Sequence, residues 1–175
     1  MNLEKYIRSI PNYPKKGILF RDVTTLLENP KAFDYALKKM HAISKKIPHT
    51  KIAAIEARGF IFASALAYLN KKPLVLIRKK NKLPGTTISQ KFKLEYGMDT
   101  IEVHKTSLNK KDKVIIVDDL IATGGTALAS AKLVEKCKAK VSAFLFLIDL
   151  FDLPGNNKLL AQGYKTFKLI DFPGH

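Results

Sequence analysis

The chain has 175 residues, of which 46% are hydrophobic and 26% are charged, a composition typical of a globular protein with one core. Its single cysteine excludes an intramolecular disulfide and a cysteine-based metal site, and no apolar run approaches the roughly 18 residues of a membrane span. Lysine and arginine outnumber aspartate and glutamate by 31 to 15, which favours a polyanionic ligand, but the basic residues are scattered and no aromatic-interleaved nucleic-acid motif occurs.

Predicted helices and strands alternate along the chain. In order, the periodicity predicts a helix at 31–47, a strand at 51–57, a helix at 60–70, a strand at 73–79, strands at 100–105 and 113–119, a helix at 126–138, and strands at 141–150 and 163–172. Residues 82–97 carry proline, glycine and β-branched residues, which predicts a long excursion or a floppy hairpin. This alternation predicts an α/β fold, a mostly parallel twisted sheet with helices on both faces.

Charged residues follow three of the predicted strands. Ligands of parallel sheets bind beyond the carboxyl ends of the strands, where residues 56–59, residues 78–80 and the pair Asp118 and Asp119 are expected. The chain has only four arginines, so Arg58 and Arg78 are candidates for sites where a planar fork binds phosphate oxygens. Structural ion pairs are the alternative for both.

The segment VIIVDDLIATGGTA (114–127) runs from the most hydrophobic strand through two carboxylates into a glycine turn. Adjacent like charges are a poor structural choice, but a vicinal acidic pair can hold two ribose hydroxyls. The turn at 122–126 opens a predicted helix, so its amides and the hydroxyls of Thr123 and Thr126 suit a phosphate. It matches neither the P-loop nor the Rossmann fingerprint, and a simple tight turn is the alternative.

This motif resembles the phosphoribosyl-diphosphate signature of the type I phosphoribosyltransferase family. Further segments resemble the adenine-using members of that family, in order and at the expected spacing: IRSIPNYPKKGILFRDVTTLL (7–27), IEARGFIFASALAY (55–68), LVLIRKKNKLPGTTIS (74–89) and LEYGMDTIEVH (94–104). The resemblance covers nearly the whole chain. It implies the type I phosphoribosyltransferase fold with a small N-terminal hood at about 7–27 and a mobile lid loop at about 82–97.

The resemblance also implies a reaction of purine salvage. The 5-phosphoribosyl group of 5-phosphoribosyl 1-diphosphate is transferred to adenine, giving AMP and diphosphate, with Mg2+ held mainly by substrate and water. We expect a single domain over residues 1–175 that is cytoplasmic and homodimeric. We expect it to bind no membrane and no specific nucleic acid.

The resemblance assigns roles to three groups of residues. The catalytic group is Arg58 with Glu95 and Tyr96, an acidic-aromatic pair on the lid. The adenine group is Leu19, Phe20, Arg21 and Leu120. The group that binds phosphoribosyl diphosphate is Glu56, Ala57, Arg58, Arg78, Lys79, Lys82, Asp118, Asp119, Ala122, Thr123, Gly124, Gly125 and Thr126. The family usually has serine where Ala57 stands.

Two alternative functions stay open at this point. The first is a phosphoribosyltransferase that uses another nucleobase, a 6-oxopurine or orotate; the 6-oxopurine enzymes carry aspartate where Ala122 stands. The second is a non-catalytic regulator that senses phosphoribosyl diphosphate and binds nucleic acid. In a regulator the lid pair Glu95 and Tyr96 would have no purpose.

Overall fold

The computed structural model describes residues 1–94 and 97–174. A short 3-10 helix at Leu3–Tyr6 comes first. The strands are β1 (Arg8–Pro11), β2 (Leu19–Asp22), β3 (Lys51–Ile55), β4 (Leu74–Lys79), β5 (Thr87–Leu94), β6 (Gly97–His104), β7 (Lys113–Ile121), β8 (Lys140–Leu150) and β9 (Thr166–Phe172). The helices are α1 (Thr24–Leu27), α2 (Pro30–Ser44), α3 (Gly59–Asn70), α4 (Gly125–Lys136) and α5 (Gly155–Ala161).

Seven strands form the central sheet in the order β5-β6-β4-β3-β7-β8-β9. Five neighbouring strands of this sheet are parallel, as expected where helices connect successive strands. They are β4, β3, β7, β8 and β9. At the other edge β6 pairs antiparallel with β4, and β5 pairs antiparallel with β6. The predicted fold class, a mostly parallel sheet covered by helices on both faces, is confirmed.

Two hydrophobic cores cover the two faces of this sheet. Side chains alternate across a strand, so β7 sends Ile115 and Val117 to one face and Val114 and Ile116 to the other. The first face packs against α2 and α3, and the second against α4 and α5. All four of these β7 residues are fully buried, which explains why the strand reads as a continuous apolar run.

The predicted excursion at 82–97 is largely a regular hairpin. Strand β5 pairs with β6 over eight residue pairs, from Thr87 opposite His104 to Leu94 opposite Gly97. The hairpin packs on α4, where Lys136 Nζ donates to the Ser89 carbonyl at 3.0 Å. Except for Gly97, the cross-strand partners of β5 lie outside the window, so its composition left open whether it was an excursion or a hairpin.

The segment expected to form a hood is a two-stranded antiparallel sheet of β1 and β2. Its side chain Arg21 is only 5% exposed and fixes the hood to the end of the chain. Arg21 Nη2 donates to the Pro173 carbonyl at 2.7 Å, Nη1 donates to Ser9 Oγ, and the guanidinium lies 4.4 Å from the Phe172 ring centroid. The hood therefore depends on residues more than 140 positions away in sequence.

Most predicted elements are present, with shifted ends. Helix α2 ends at Ser44 instead of 47, and β7 continues to Ile121, so the acidic pair lies within the strand. Helix α5 has no counterpart among the predictions, because seven residues are too few for a helical period to be recognised. Within the described ranges, none of the helices has the length and apolar character needed to cross a bilayer.

Candidate active site

An open cleft lies at the carboxyl edge of the sheet, where β3 and β7 end side by side. It is lined by Glu56, Ala57 and Arg58 from the β3 end and by Asp118, Asp119, Leu120, Ile121, Ala122, Thr123, Gly124, Gly125, Thr126 and Ala127. The two sequence motifs predicted to bind the sugar phosphate therefore face one another across a single cleft. Leu120, predicted at the adenine position, also lies in its wall.

Asp118 and Asp119 form the acidic side of the cleft. Asp118 is half-buried and its Oδ1 accepts a hydrogen bond from the Asp119 amide at 2.9 Å; Asp119 is 3% exposed. Burial, and then the charge of Asp119, raise the pKa of Asp118 well above the usual aspartate value. Burial also raises the pKa of Asp119, although the Arg58 guanidinium opposes that shift.

Arg58 is the cation that faces this pair. Its Nε lies 2.8 Å from Asp119 Oδ2, yet that buried oxygen accepts no hydrogen bond from the described residues. The same guanidinium lies 5.0 Å from the ring centroid of Phe20 in the hood. Arg58 thus links the acidic pair to the predicted base site, and Asp119 keeps a buried acceptor that suits a hydroxyl donor.

The start of α3 can reach the acidic pair because Gly59 has no side chain. A Cβ at Gly59 would lie 2.8 Å from Asp118 Oδ1 and 2.9 Å from the Val117 carbonyl. The backbone just before it contains a cis peptide between Glu56 and Ala57, and Ala57 is exposed to the cleft. The glycine in the Arg58-Gly59 pair is therefore a packing requirement of the site.

The turn at 122–126 leads from β7 into α4. Gly124 has φ of +80°, a conformation that other residues rarely adopt, and α4 has no side-chain hydrogen bond capping its first turn. The amides at its start are thus available to an anion, with the helix dipole in the favourable direction. This geometry agrees with the predicted phosphate role of residues 122–126, which stays a prediction.

Glu56 supports the basic residues next to the cleft. Its Oε2 accepts from Arg78 Nε at 3.2 Å and from the Lys79 amide at 2.8 Å, while Arg78 Nη1 donates to the Lys82 carbonyl at 3.1 Å. Burial opposes ionisation, but the Lys79 amide and the Arg78 guanidinium outweigh it and lower the pKa of Glu56. The carboxylate of Glu56 therefore positions the basic turn, in which Lys79 Nζ lies 3.8 Å from Asp99 Oδ2 and the charge of Lys82 also lowers the pKa of Glu56.

A second carboxylate in this region was not identified from sequence. Glu102 of β6 is 7% exposed and accepts from the Asn81 amide at 3.2 Å. It pairs opposite Arg78 in the antiparallel β4–β6 ladder. Only the strand register brings Glu102 to the basic turn, so the local sequence held no signal for it.

The remaining predicted residues belong to the hood and to the segment predicted to form a lid. Leu19 and Phe20 are half-buried in β2, and Phe20 packs edge-on against Tyr13 at 5.1 Å between centroids. The Arg21 side chain points to the chain end, so only its main chain is available for a base. Glu95 and Tyr96 lie outside the described residues, and their predicted role stays a prediction.

The cleft offers few side chains to the Mg2+ that the resemblance implies. Across residues 1–94 and 97–174, no group of three or more His, Cys, Asp or Glu side chains is placed to hold a metal ion. A pair of adjacent carboxylates with one buried oxygen free for a further ligand is nevertheless present in Asp118 and Asp119. These residues fit a metal that is held chiefly by substrate oxygens and water.

A model of the phosphoribosyl transferase domain matches residues 22–157. An adenine phosphoribosyltransferase from Pelagibacter ubique (strain HTCC1062) is 61% identical over the full length of both chains. The chain belongs to the adenine phosphoribosyltransferase family. Each segment that carried the resemblance lies within the region aligned with the Pelagibacter ubique relative, so the family assignment made from sequence is confirmed.

Solved structures of this family have the same fold. The adenine phosphoribosyltransferase from Thermoanaerobacter pseudethanolicus aligns with a TM-score of 0.93 and 45% identity, covering 97% of this chain and 98% of its own. That from Trypanosoma brucei, in complex with AMP, pyrophosphate and ribose-5-phosphate, aligns with a TM-score of 0.89 and 28% identity, covering 97% of this chain and 77% of its own. Both support the topology described above.

The raised pKa of Asp118 predicts how the acidic pair affects stability. Between the unfolded aspartate value of about 3.9 and the raised folded value, the folded chain holds more protons than the unfolded chain, so the Asp118 contribution to stability falls as pH rises. Asp118→Asn should therefore be more stable than wild type at neutral pH, with the gain shrinking in acid. Urea denaturation at several pH values measures it.

Asp34→Asn is the matched control, because Asp34 is exposed on α2 and forms a surface ion pair with Lys38. This control should alter the free energy of unfolding by no more than about 0.5 kcal/mol. A lower stability of Asp118→Asn at neutral pH, or a gain independent of pH, would contradict the assigned charge repulsion.

Proposed function

We propose that the protein transfers the 5-phosphoribosyl group of 5-phosphoribosyl 1-diphosphate to adenine, producing AMP and diphosphate in purine salvage. The observation that carries this proposal is the cleft in which the paired aspartates face Arg58, beside a glycine turn at a helix start. A sugar phosphate needs acceptors for its hydroxyls and a binding site for its phosphate within one cleft. This chain also belongs to a family named for that reaction.

The chemistry is a displacement at the anomeric carbon of the ribose. The bond from that carbon to the diphosphate oxygen breaks, a ring nitrogen of adenine bonds to the carbon, and the proton of the adenine ring N–H passes to the departing diphosphate or to solvent. Positive charge develops on the sugar ring as the bond breaks, as in glycoside hydrolysis. Asp118 and Asp119 lie where negative charge favours this cation, and Arg58 with the basic turn favours the departing anion.

Substrate binding exchanges the partners of Arg58. Before binding, the guanidinium neutralises Asp119 and covers the ring of Phe20. A diphosphate offers Arg58 a bidentate partner, while the ribose hydroxyls offer Asp119 the hydrogen bonds that it lacks. The exchange uncovers the face of Phe20, on which the adenine ring stacks, and main-chain groups at Leu19 and Arg21 read the edge of the base.

Magnesium belongs to the same proposal. When bound, Mg2+ neutralises the charge of the diphosphate leaving group. Asp118 and Asp119 are the protein groups placed to approach it, directly or through water, with the substrate supplying most of its ligands. The protein's own part is to hold the sugar phosphate and exclude water, for which the β5–β6 hairpin beside the turn is suited: the Lys93 carbonyl would lie 3.5 Å from a Cβ at Gly125.

The ligands named for relatives support this assignment. The Trypanosoma brucei structure is described as a complex with AMP, pyrophosphate and ribose-5-phosphate, the products and the sugar-phosphate portion of the proposed reaction. Cytoplasmic localisation stays a prediction. One domain over residues 1–175 also stays a prediction.

We further propose that the protein is a homodimer. Ile61, Tyr68 and Leu69 recur at helical spacing on the outer face of α3 and are 40%, 84% and 41% exposed. Leu76 of β4, 37% exposed, lies on the same side of the sheet. Clustered apolar side chains of this size at a surface are typical of protein–protein contacts.

Base selectivity tests the proposed reaction. Adenine should be converted to AMP with a kcat/KM about four orders of magnitude above that for hypoxanthine, because a 6-oxo group and ring N–H mismatch main-chain groups that read adenine. Phe20→Ala should weaken adenine binding by about 1 kcal/mol or more through loss of stacking. Competition kinetics with adenine, hypoxanthine and guanine measures both.

Phe151→Ala is the control for the stacking variant, because Phe151 is an exposed aromatic residue outside the cleft. Equal efficiencies of the wild type on adenine and hypoxanthine would overturn the adenine assignment. Absence of nucleotide formation from any of the three bases would instead favour the regulator.

Arg58→Lys tests the diphosphate contact. A point charge cannot reproduce a bidentate contact, so we expect kcat/KM to fall about 100- to 1000-fold. Arg8→Lys is the matched control, because Arg8 pairs with Asp22 outside the cleft and is 57% exposed. Steady-state kinetics that leave Arg58→Lys equal to the wild type would remove Arg58 from the active site.

The dimer is tested with Tyr68→Glu. The wild type should sediment at twice the chain mass, and a charge on the apolar face of α3 should shift it towards the monomer, since an unpaired buried charge is costly. Lys45→Glu, exposed just after α2, is the control for the added charge. A monomeric wild type, or a Tyr68→Glu variant that sediments like the control, would rule out this interface.

A further inference from the structure

Helix α5 packs against the turn at 122–126 so closely that no side chain fits between them. The Gly155 amide donates to the Ala122 carbonyl at 2.9 Å, and a Cβ at Gly124 would lie 2.8 Å from the Cα of Gly155. A Cβ at Gly155 would collide with the Ala122 carbonyl itself. Lys158, one turn further along α5, donates from Nζ to the Thr123 carbonyl at 3.0 Å.

These contacts set the direction of two amides of the turn. The peptides that follow Ala122 and Thr123 are trans, and in a planar trans peptide the N–H points away from the C=O. Because both carbonyls are directed at α5, the amides of Thr123 and Gly124 are directed away from it, towards the cleft that these residues line. A phosphate in the cleft therefore meets amides whose orientation α5 determines.

Helix α5 is in turn held by Asn156, which connects it to two strands. Asn156 Nδ2 donates to Asp149 Oδ2 at 2.9 Å, and Asn156 Oδ1 accepts from Thr166 Oγ1 at 2.7 Å. Asp149 of β8 is 2% exposed and also accepts from Lys168 Nζ at 3.0 Å. Both ends of the Asn156 amide are thus fixed by groups that belong to the rigid sheet.

We propose that Asn156 is a positioning residue of the phosphoribosyl site, which holds α5 against the turn at 122–126 and so orients the amides that bind the 5-phosphate. This inference rests on the proposed function and extends it to a segment that lines no part of the cleft. Loss of Asn156 acts on the phosphate end of the substrate and leaves the hood, where the base binds, unchanged. A change of this kind raises KM for one substrate with kcat little altered.

Asn156→Ala and Asn157→Ala form a matched pair, because Asn157 is the neighbouring asparagine of the same helix and is exposed. Asn156→Ala should raise KM for 5-phosphoribosyl 1-diphosphate about tenfold, with KM for adenine within about twofold of wild type. The dissociation constant of ribose 5-phosphate, measured by calorimetry, should rise by a similar factor. Asn157→Ala should match the wild type in all three quantities.

Asn156→Asp keeps the size of the side chain and still accepts from Thr166, but it replaces the donor to Asp149 with a carboxylate. It should be impaired at least as strongly as Asn156→Ala, which tests the Asp149 contact even if the alanine variant folds poorly. A wild type that forms AMP, with both Asn156 variants folded and unchanged in KM and ribose 5-phosphate binding, would overturn this inference alone. A wild type that forms no AMP would overturn the proposed function first.

Discussion

The contact between Arg58 and Asp119 governs the arrangement of the whole cleft. It forms because α3 begins almost in van der Waals contact with the end of β7, which Gly59 alone permits. A buried carboxylate beside a second carboxylate is unfavourable, and the guanidinium is the nearby charge that offsets part of that cost. The same guanidinium reaches Phe20, so the hood, the acidic pair and the β3 end are coupled through one side chain.

This coupling gives the substrate a way to reorganise the site without moving the sheet. In the proposed reaction, ribose hydroxyls would bind Asp119 and a diphosphate would bind Arg58, so each of the separated charges would acquire a new partner in place of the other. Such an exchange requires a new direction of the Arg58 side chain and no change in the packing of β3, β7 and α3.

The sequence was sufficient to predict elements whose signals are local and long enough to recognise. The continuous apolar run before Asp118 identified a buried strand, and the glycine turn after Asp119 identified a helix start, because both signals are local. It was insufficient where a contact depends on strand register or on the far end of the chain. Glu102, aligned with Arg78 only by the β4–β6 ladder, and Gly155, packed on Gly124, are examples.

Most of the buried acidic residues accept hydrogen bonds that order loops. Among the described residues the buried acids are Asp22, Glu102, Asp112, Asp119 and Asp149. Except for Asp119, each accepts a hydrogen bond from a loop, a turn or a helix start: Thr24, Asn81, Asn109 and Asn156 are the donors. A buried carboxylate is tolerated only with such partners, so these residues hold loops at the cost of desolvation.

Asp119 differs from the other four buried acids, because it orders no loop and faces the cleft in which a ligand would bind. Its Oδ2 has a cation nearby but no hydrogen-bond donor among the described residues, so its hydrogen-bonding capacity is available to a ligand. Because five of the fourteen acids that the structure describes are buried, the exterior is more cationic than the net charge of +16 suggests. The proposed substrate, a polyanionic sugar diphosphate, would be attracted by that field to the cleft, where the unsatisfied Asp119 oxygen and the amides of the glycine turn meet.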